Sequence, residues 1–270
     1  MKTKLSLSIW AIVLWALVYF WTPEPTPKIL EVPQEASFYS MKCTVAKYLL
    51  SNVDTTQQIA PLFANLGNLH FSVSTKDQKA QAYFDQGIKL TFAFNNAEAH
   101  RSFMEASRLD PKAAMTYWGQ AYTLGPNIND PMPDEERRQK SYEALAKAKK
   151  LALMGSPKEK ALIEALTFRY SNDLTKDITE LNVAYMNAME KVVDQFPDDA
   201  HVQTLYAAAV MNTMPWNYWD NDGNPAPNTL KGKAALELAM VLNPDHPGAH
   251  HYYIHMLATI KKKTLNERKV

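Results

Sequence analysis

The residues best suited to chemistry crowd the C-terminal part of the chain: His246, His250, His251 and His255. Pro247 favours a helix beginning there, because proline suits the first helical position. Residues four apart on a helix share a face. His251 and His255 therefore point one way, as do His246 and His250. Two neutral imidazoles at that spacing can bind one metal ion. The same histidines also serve ordinary packing, and His250 is expected in a packed position. In the metalloprotease form of this spacing, a glutamate directly after the first histidine is the general base. Here Tyr252 follows His251, so that chemistry lacks its base.

Asp220, Asp222 and Asn224 imitate the start of a calcium-binding EF-hand loop. Gly223 falls two places too early, and Lys231 stands where the closing glutamate belongs, which excludes the full motif. No phosphate-cradling glycine loop, dinucleotide fingerprint or nucleophile elbow occurs. No acidic pair is spaced so as to mark acid–base catalysis. These absences point away from an enzyme. No organic cofactor is expected, and a divalent metal is the one inorganic candidate. The single cysteine, Cys43, rules out an internal disulfide and cysteine-rich zinc sites. The 29 basic and 28 acidic residues nearly cancel, so no strong field draws in nucleic acid. Lys147, Lys149 and Lys150 read as a solvated helix face, and His70 and His100 are isolated, with His100 expected at solvent or a helix interface.

Several elements must position these residues. Lys2 and Lys4 precede an uncharged apolar run from Leu5 to Trp21. That run suits a signal anchor better than a cleaved signal, because no small-residue cleavage site follows. Trp15, Tyr19 and Trp21 suit a membrane interface, and the two lysines place the remainder outside the cytoplasm. A secreted, periplasmic product of a cleaved signal is the alternative. Alternating prolines in 22–37 make a semi-rigid spacer. From 38 to 75 the pattern suggests short helices, at Tyr39–Leu50 and Gln57–Leu66. Ser74 or Thr75 is a candidate cap for a longer helix near Lys79. Few glycines, 8 against 16 prolines, suit an all-α chain of frequent starts and stops.

Internal repetition spans 76–260. Tyr83, Gly87, Leu90, Ala99, Phe103, Ala106 and Pro111 stand at the spacings of the tetratricopeptide pattern. Gly87 and Ala99 permit close helix approach, and Phe103 fills the gap. Worn copies follow: Tyr117, Ala121 and Leu124 closing near Ala152; Ile163, Thr167 and Tyr170 closing near Val192; Gln203, Ala207 and Val210 closing with Leu236 and Ala239. His250, Ile254 and Leu257 open a fifth unit without a second helix. The closing prolines Pro111, Pro157, Pro197 and Pro244 are 46, 40 and 47 residues apart, longer than the plain repeat of about 34. The excess falls at Pro126–Pro133, Ser171–Thr175 and Met214–Asn228, and such insertions gather on one, often binding, face.

From Tyr83 onward the chain thus resembles the tetratricopeptide repeat (TPR) family. Phe94-Asn95-Asn96-Ala97-Glu98-Ala99, Gly125-Pro126-Asn127-Ile128-Asn129 and Gly248-Ala249-His250-His251-Tyr252-Tyr253-Ile254-His255 are similar to a branch of bacterial exported or membrane-anchored TPR proteins of unknown function. Members of that branch commonly continue into a further histidine-bearing segment. Here the chain runs into the basic tail 261–270, the pattern expected of a truncated member. The resemblance implies an all-α right-handed superhelix whose concave groove is lined by Trp118, Tyr122, His201, His251 and His255. Trp216 and Trp219, in an insertion, would form a lid or pin their loop. The expected function is binding of a protein or peptide partner in that groove. The alternative is a metal-binding protein or metal-dependent enzyme with His201, His251 and His255 as ligands.

Overall fold

The computed structural model describes residues 56–258, and these form nine α-helices with no strand among the described residues. In chain order they are α1 (Gln78–Phe92), α2 (Asn96–Leu109), α3 (Ala114–Leu124), α4 (Glu135–Leu151), α5 (Pro157–Thr167), α6 (Ile178–Gln195), α7 (Ala200–Thr213), α8 (Thr229–Leu242) and α9 (Pro247–Ala258). No described helix is long and apolar enough to cross a membrane. The apolar run 5–21, the spacer 22–37, the helix expected at Tyr39–Leu50, Cys43 and the tail 261–270 lie outside the described residues.

Side-chain caps fix most helix starts. Asp77, Asn95, Asp134, Ser156, Asp177 and Asp199 each accept a backbone N–H of the first turn. A cap of this kind contributes about 1 kcal/mol. The cap of α1 is Asp77, whose Oδ1 accepts from Lys79 N at 2.8 Å and Ala80 N at 2.9 Å. Ser74 and Thr75, the expected caps, are committed elsewhere. The Ser74 amide donates to Glu159 Oε1 at 2.6 Å, and the Thr75 hydroxyl to Asp110 Oδ2 at 2.6 Å.

The helix expected at Gln57–Leu66 does not form; from 57 to 77 the chain is an irregular strap along α1 and α2. Pro61 lacks an amide donor, and Asn65 and Gly67 take left-handed φ values of 67° and 77°. Side chains of the first two helices satisfy the strap's backbone. Ile59 N–H donates to Glu105 Oε2 at 2.8 Å, Phe63 N–H to Gln86 Oε1 at 2.7 Å, and Phe71 N–H to Asp85 Oδ1 at 2.9 Å. Gln86 Nε2 donates back to the Pro61 carbonyl at 2.8 Å. Buried backbone groups need partners, and polar residues facing the strap supply them in place of a helical ladder. Ile59, Ala60, Leu69 and Phe71 bury its apolar side.

Consecutive helices pack together, most extensively α1 with α2, α3 with α4 and α7 with α8. Helices two apart also touch: α1 with α3, α3 with α5, α7 with α9. Phe103 is the wedge between the first of these. A Cβ at Gly87 would stand 2.6 Å from its ring, and one at Gly119 2.5 Å. Both positions therefore require glycine for this approach. Tyr83, Leu90, Ala99, Ala106, Tyr117, Ala121, Leu124, Ile163, Ala207, Val210, Leu236 and Ala239 are all buried, so the periodic positions of the sequence form the interhelical core.

The last helix departs from that register. His250 is exposed, not packed, with Nε2 on the Pro244 carbonyl at 2.6 Å, and Ile254 is 65% exposed. The buried face of α9 is instead Gly248, Ala249, Tyr252 and Met256. The cause is its second neighbour, because α9 reaches back to α1. Gly248 sits on the Phe92 ring, where a Cβ would stand 2.5 Å away. Turning Gly248 and Tyr252 toward α1 turns His250 and Ile254 outward.

Candidate functional site

The histidines resolve into two pairs. In the first, the Ala249 amide donates to His246 Nδ1 at 3.1 Å, so that nitrogen carries no proton. His246 Nε2–H then donates to His201 Nδ1 at 3.0 Å, and His201 Nε2–H to the His70 carbonyl at 3.0 Å. Every ring nitrogen of the pair is engaged, and both rings are neutral. Burial, then the neighbouring His201, lowers the His246 pKa to about 4. Burial likewise lowers that of His201, against the opposing pull of Asp199. This relay ties the strap, α7 and the start of α9 together.

The second pair is His251 and His255, one turn apart on α9. His251 Nδ1–H donates to the Phe92 carbonyl at 2.6 Å, filling one of the acceptors left at the C-terminus of α1. His251 Nε2 is then a lone pair, and His255 Nε2 approaches it at 2.9 Å. Phe94 and Trp216 flank the pair, each ring 5.3 Å from that of His255. Both aromatics hold left-handed backbones, with φ of 58° and 65°, a conformation costing on the order of 1–2 kcal/mol for a residue with a Cβ. Desolvation, then His251, lowers the His255 pKa.

His201 thus joins His246 and not His251 and His255. Among the described residues no group of three or more histidine, cysteine, aspartate or glutamate side chains could hold a metal. The approach of His251 and His255 was readable in their spacing; the His201–His246 pair and the His70 and Phe92 carbonyl partners were not, because they join segments distant in sequence.

The aromatic residues expected on the groove are largely enclosed. Trp118 is 1% exposed and its indole N–H donates to the Leu162 carbonyl at 3.2 Å. Tyr122, 8% exposed, stacks on it with ring centroids 5.1 Å apart, and burial raises its pKa to about 12. The cavity beside Tyr122 is only about 20 Å³, room for about one water molecule. Packing of α3 against α5, and of α9 against α1, covers this face. The insertion 214–228 is pinned at both tryptophans. Trp216 donates to the Ile128 carbonyl and Trp219 to that of Met256, each at 2.8 Å. Tyr218 beneath them is fully buried, an anchor the sequence did not single out. Trp216 itself remains 41% exposed. The Asp220 carboxylate is spent on its own turn, accepting from Asp222 N, Asn224 N and Asn224 Nδ2, each at 2.8 Å. His100 is buried between α2 and α3, with Nδ1 3.2 Å from Thr123 Oγ1.

An open groove lies elsewhere. Between α5 and α6 is a depression of about 720 Å³, lined along both walls by Ala161, Ala165, Ala184 and Ala188. Phe168, 49% exposed, also lines it. Lys160 and Lys191 line it as well, and Glu164 is paired with Lys149 at 3.1 Å. Sequence reasoning missed this site because alanines at helical spacing read as packing. Comparison with protein-family models, curated proteins and solved structures returns no match.

Proposed function

We propose that this chain is a tetratricopeptide-type scaffold that binds a peptide or protein partner, tethered to a membrane through residues 5–21 with its repeats on the extracytoplasmic side. The repeat reading is supported by the burial of the periodic positions and by the fit of Phe103 against Gly87 and Gly119. It is supported also by contacts between helices two apart, as expected when two-helix units stack. The tether rests on the apolar run and its flanking lysines.

The observation that carries the binding role is the open α5–α6 groove. Small residues on both walls let a ligand backbone approach closely, and Phe168 offers an apolar contact. With Glu164 neutralised by Lys149, the groove's charge is basic through Lys160 and Lys191. That chemistry suits an amphipathic helix with apolar anchors and acidic flanks. The groove replaces the Trp118–Tyr122 face as the recognition surface, since those rings are packed. The test is selection of a displayed peptide library against the full chain. Enriched peptides should lose binding to Ala184→Trp, which fills the groove from a half-buried position. Retained binding to that variant sinks the assignment.

A second reading is favoured by one observation, the approach of two imidazole nitrogens at 2.9 Å with His251 oriented by a backbone carbonyl. Histidine ligands are commonly held by such an outer hydrogen bond. One ion at about 2.1 Å from each nitrogen would have two protein ligands, and the remaining positions would fall to a partner or to water. Calorimetric titration of the full chain with zinc should show one site lost in His255→Ala. No heat, or the same site in the variant, removes this reading.

A further inference from the structure

The connection from α4 to α5 carries large apolar side chains away from the core. Ala152–Met154 form a single 3-10 turn, closed by the Gly155 amide on the Ala152 carbonyl at 2.9 Å. Leu151 and Ala152 pack against the core. Leu153 and Met154 point outward, 82% and 88% exposed, and no other adjacent pair of large apolar residues is so exposed among the described residues. One exposed apolar side chain is ordinary; two together on a fixed apex make an apolar tip. Glu159, 1% exposed, fixes that apex. Its amide donates to Ser156 Oγ at 3.3 Å, and its carboxylate accepts the Ser156 amide at 2.5 Å and the Ser74 amide at 2.6 Å.

Positive charge collects around the tip. Residues 144–163 hold five lysines, Lys147, Lys149, Lys150, Lys158 and Lys160, and one acid, the buried Glu159. Lys149 pairs with Glu164 at 3.1 Å and Lys158 with Asp199 at 2.8 Å. Lys147, Lys150 and Lys160 are exposed. None of these three makes an ion pair among the described residues.

We propose that this tip docks on the surface of an anionic lipid bilayer, with Leu153 and Met154 entering the headgroup boundary and the three lysines facing the lipid phosphates. An apolar and a basic signal together give stable but reversible surface binding. The attraction of lysines to an anionic leaflet fades within a Debye length. An acidic protein partner is less well served, because a two-residue apex offers it little area to bury. The proposal is independent of the peptide groove and of the tether. The tether keeps the chain near a bilayer, and the tip sets which end of α4 and α5 faces it.

The test uses the full chain with Cys43→Ser and Met154→Cys, labelled with the fluorophore NBD on its one remaining thiol. Vesicles are of phosphatidylcholine alone or mixed with phosphatidylglycerol. Flotation with the neutral vesicles reports the tether. Absent flotation counts against the tether and not the tip, whose signal is read at saturating anionic lipid. A blue shift, quenched by a lipid-borne and not by an aqueous quencher, is expected with anionic vesicles only, and added salt should reverse it. Lys150→Glu should lower the ratio of docked to free tip by roughly tenfold, and Leu153→Asn should abolish the shift. The same label at Asn172→Cys, exposed in the loop that follows the other end of α5, should stay in water. A label at 154 that stays in water with anionic vesicles overturns the proposal. So does an equal shift with neutral vesicles, or one unchanged by Lys150→Glu. A label already shielded without vesicles overturns it too, and makes another part of the chain or a second copy the occupant.

Discussion

Two faces of the molecule meet opposite fates. The face bearing Trp118 and Tyr122 is closed by its own helices, its indole bonded to Leu162 and its residual cavity near 20 Å³. The α5–α6 face, walled by four alanines, stays open as a groove of about 720 Å³. Large aromatics in a helical array gain most by burying one another, since each buried ring removes a large apolar area from water. Small side chains offer a neighbouring helix less to bury against and leave room between the helices that carry them. The aromatics thus close their own face, while the half-buried Ala161 and Ala184 leave the space between α5 and α6 unfilled.

The comparison is broken most forcefully at the closed face. Trp118→Ala should destabilise the fold by about 3–5 kcal/mol, measured by chemical denaturation, while leaving peptide affinity intact where the protein remains folded. Loss of affinity without loss of stability would instead make Trp118 a contact residue. The His201–His246 relay that helps hold α9 in place should respond to acid. His246 has its folded pKa lowered from 6.5 to about 4, so below pH 6.5 the unfolded chain takes up protons first. Stability then falls as pH drops from 6.5 to about 4, by on the order of 3 kcal/mol. Denaturation midpoints across that window check it, and His246→Asn should flatten the dependence.

At the open face, Ala161→Trp and Ala184→Trp should each weaken peptide binding by roughly tenfold or more, about 1.4 kcal/mol, with stability changed by less. Fluorescence anisotropy with a selected peptide measures the one and thermal unfolding the other. The smallest expected effect is that of His255→Ala. Its ring is half-buried and its bond to His251 neutral, so thermal unfolding should register about 1 kcal/mol or less.

The helical class and most of the packing were legible in the sequence because periodic apolar residues with caps leave few alternatives. Tyr83, Gly87 and Phe103 occupy the places their spacing implies, while the approach of Gly119 to the Phe103 ring emerges only from the structure. The strap at 57–77 was not legible, because its partners are polar side chains such as Asp85, Gln86 and Glu105, distant in sequence. His250 and Ile254 were misplaced for a related reason. Contact of α9 with α1 is a long-range event that a repeat pattern, built on nearest neighbours, does not encode.

The most direct test of an open face beside a closed one is hydrogen exchange on the full chain, with and without a selected peptide. Slowed exchange within Pro157–Thr167 and Ile178–Gln195, with Ala114–Leu124 unchanged, is the predicted result. Protection confined to Ala114–Leu124 or to Pro247–Ala258 would contradict it and return recognition to the aromatic and histidine face.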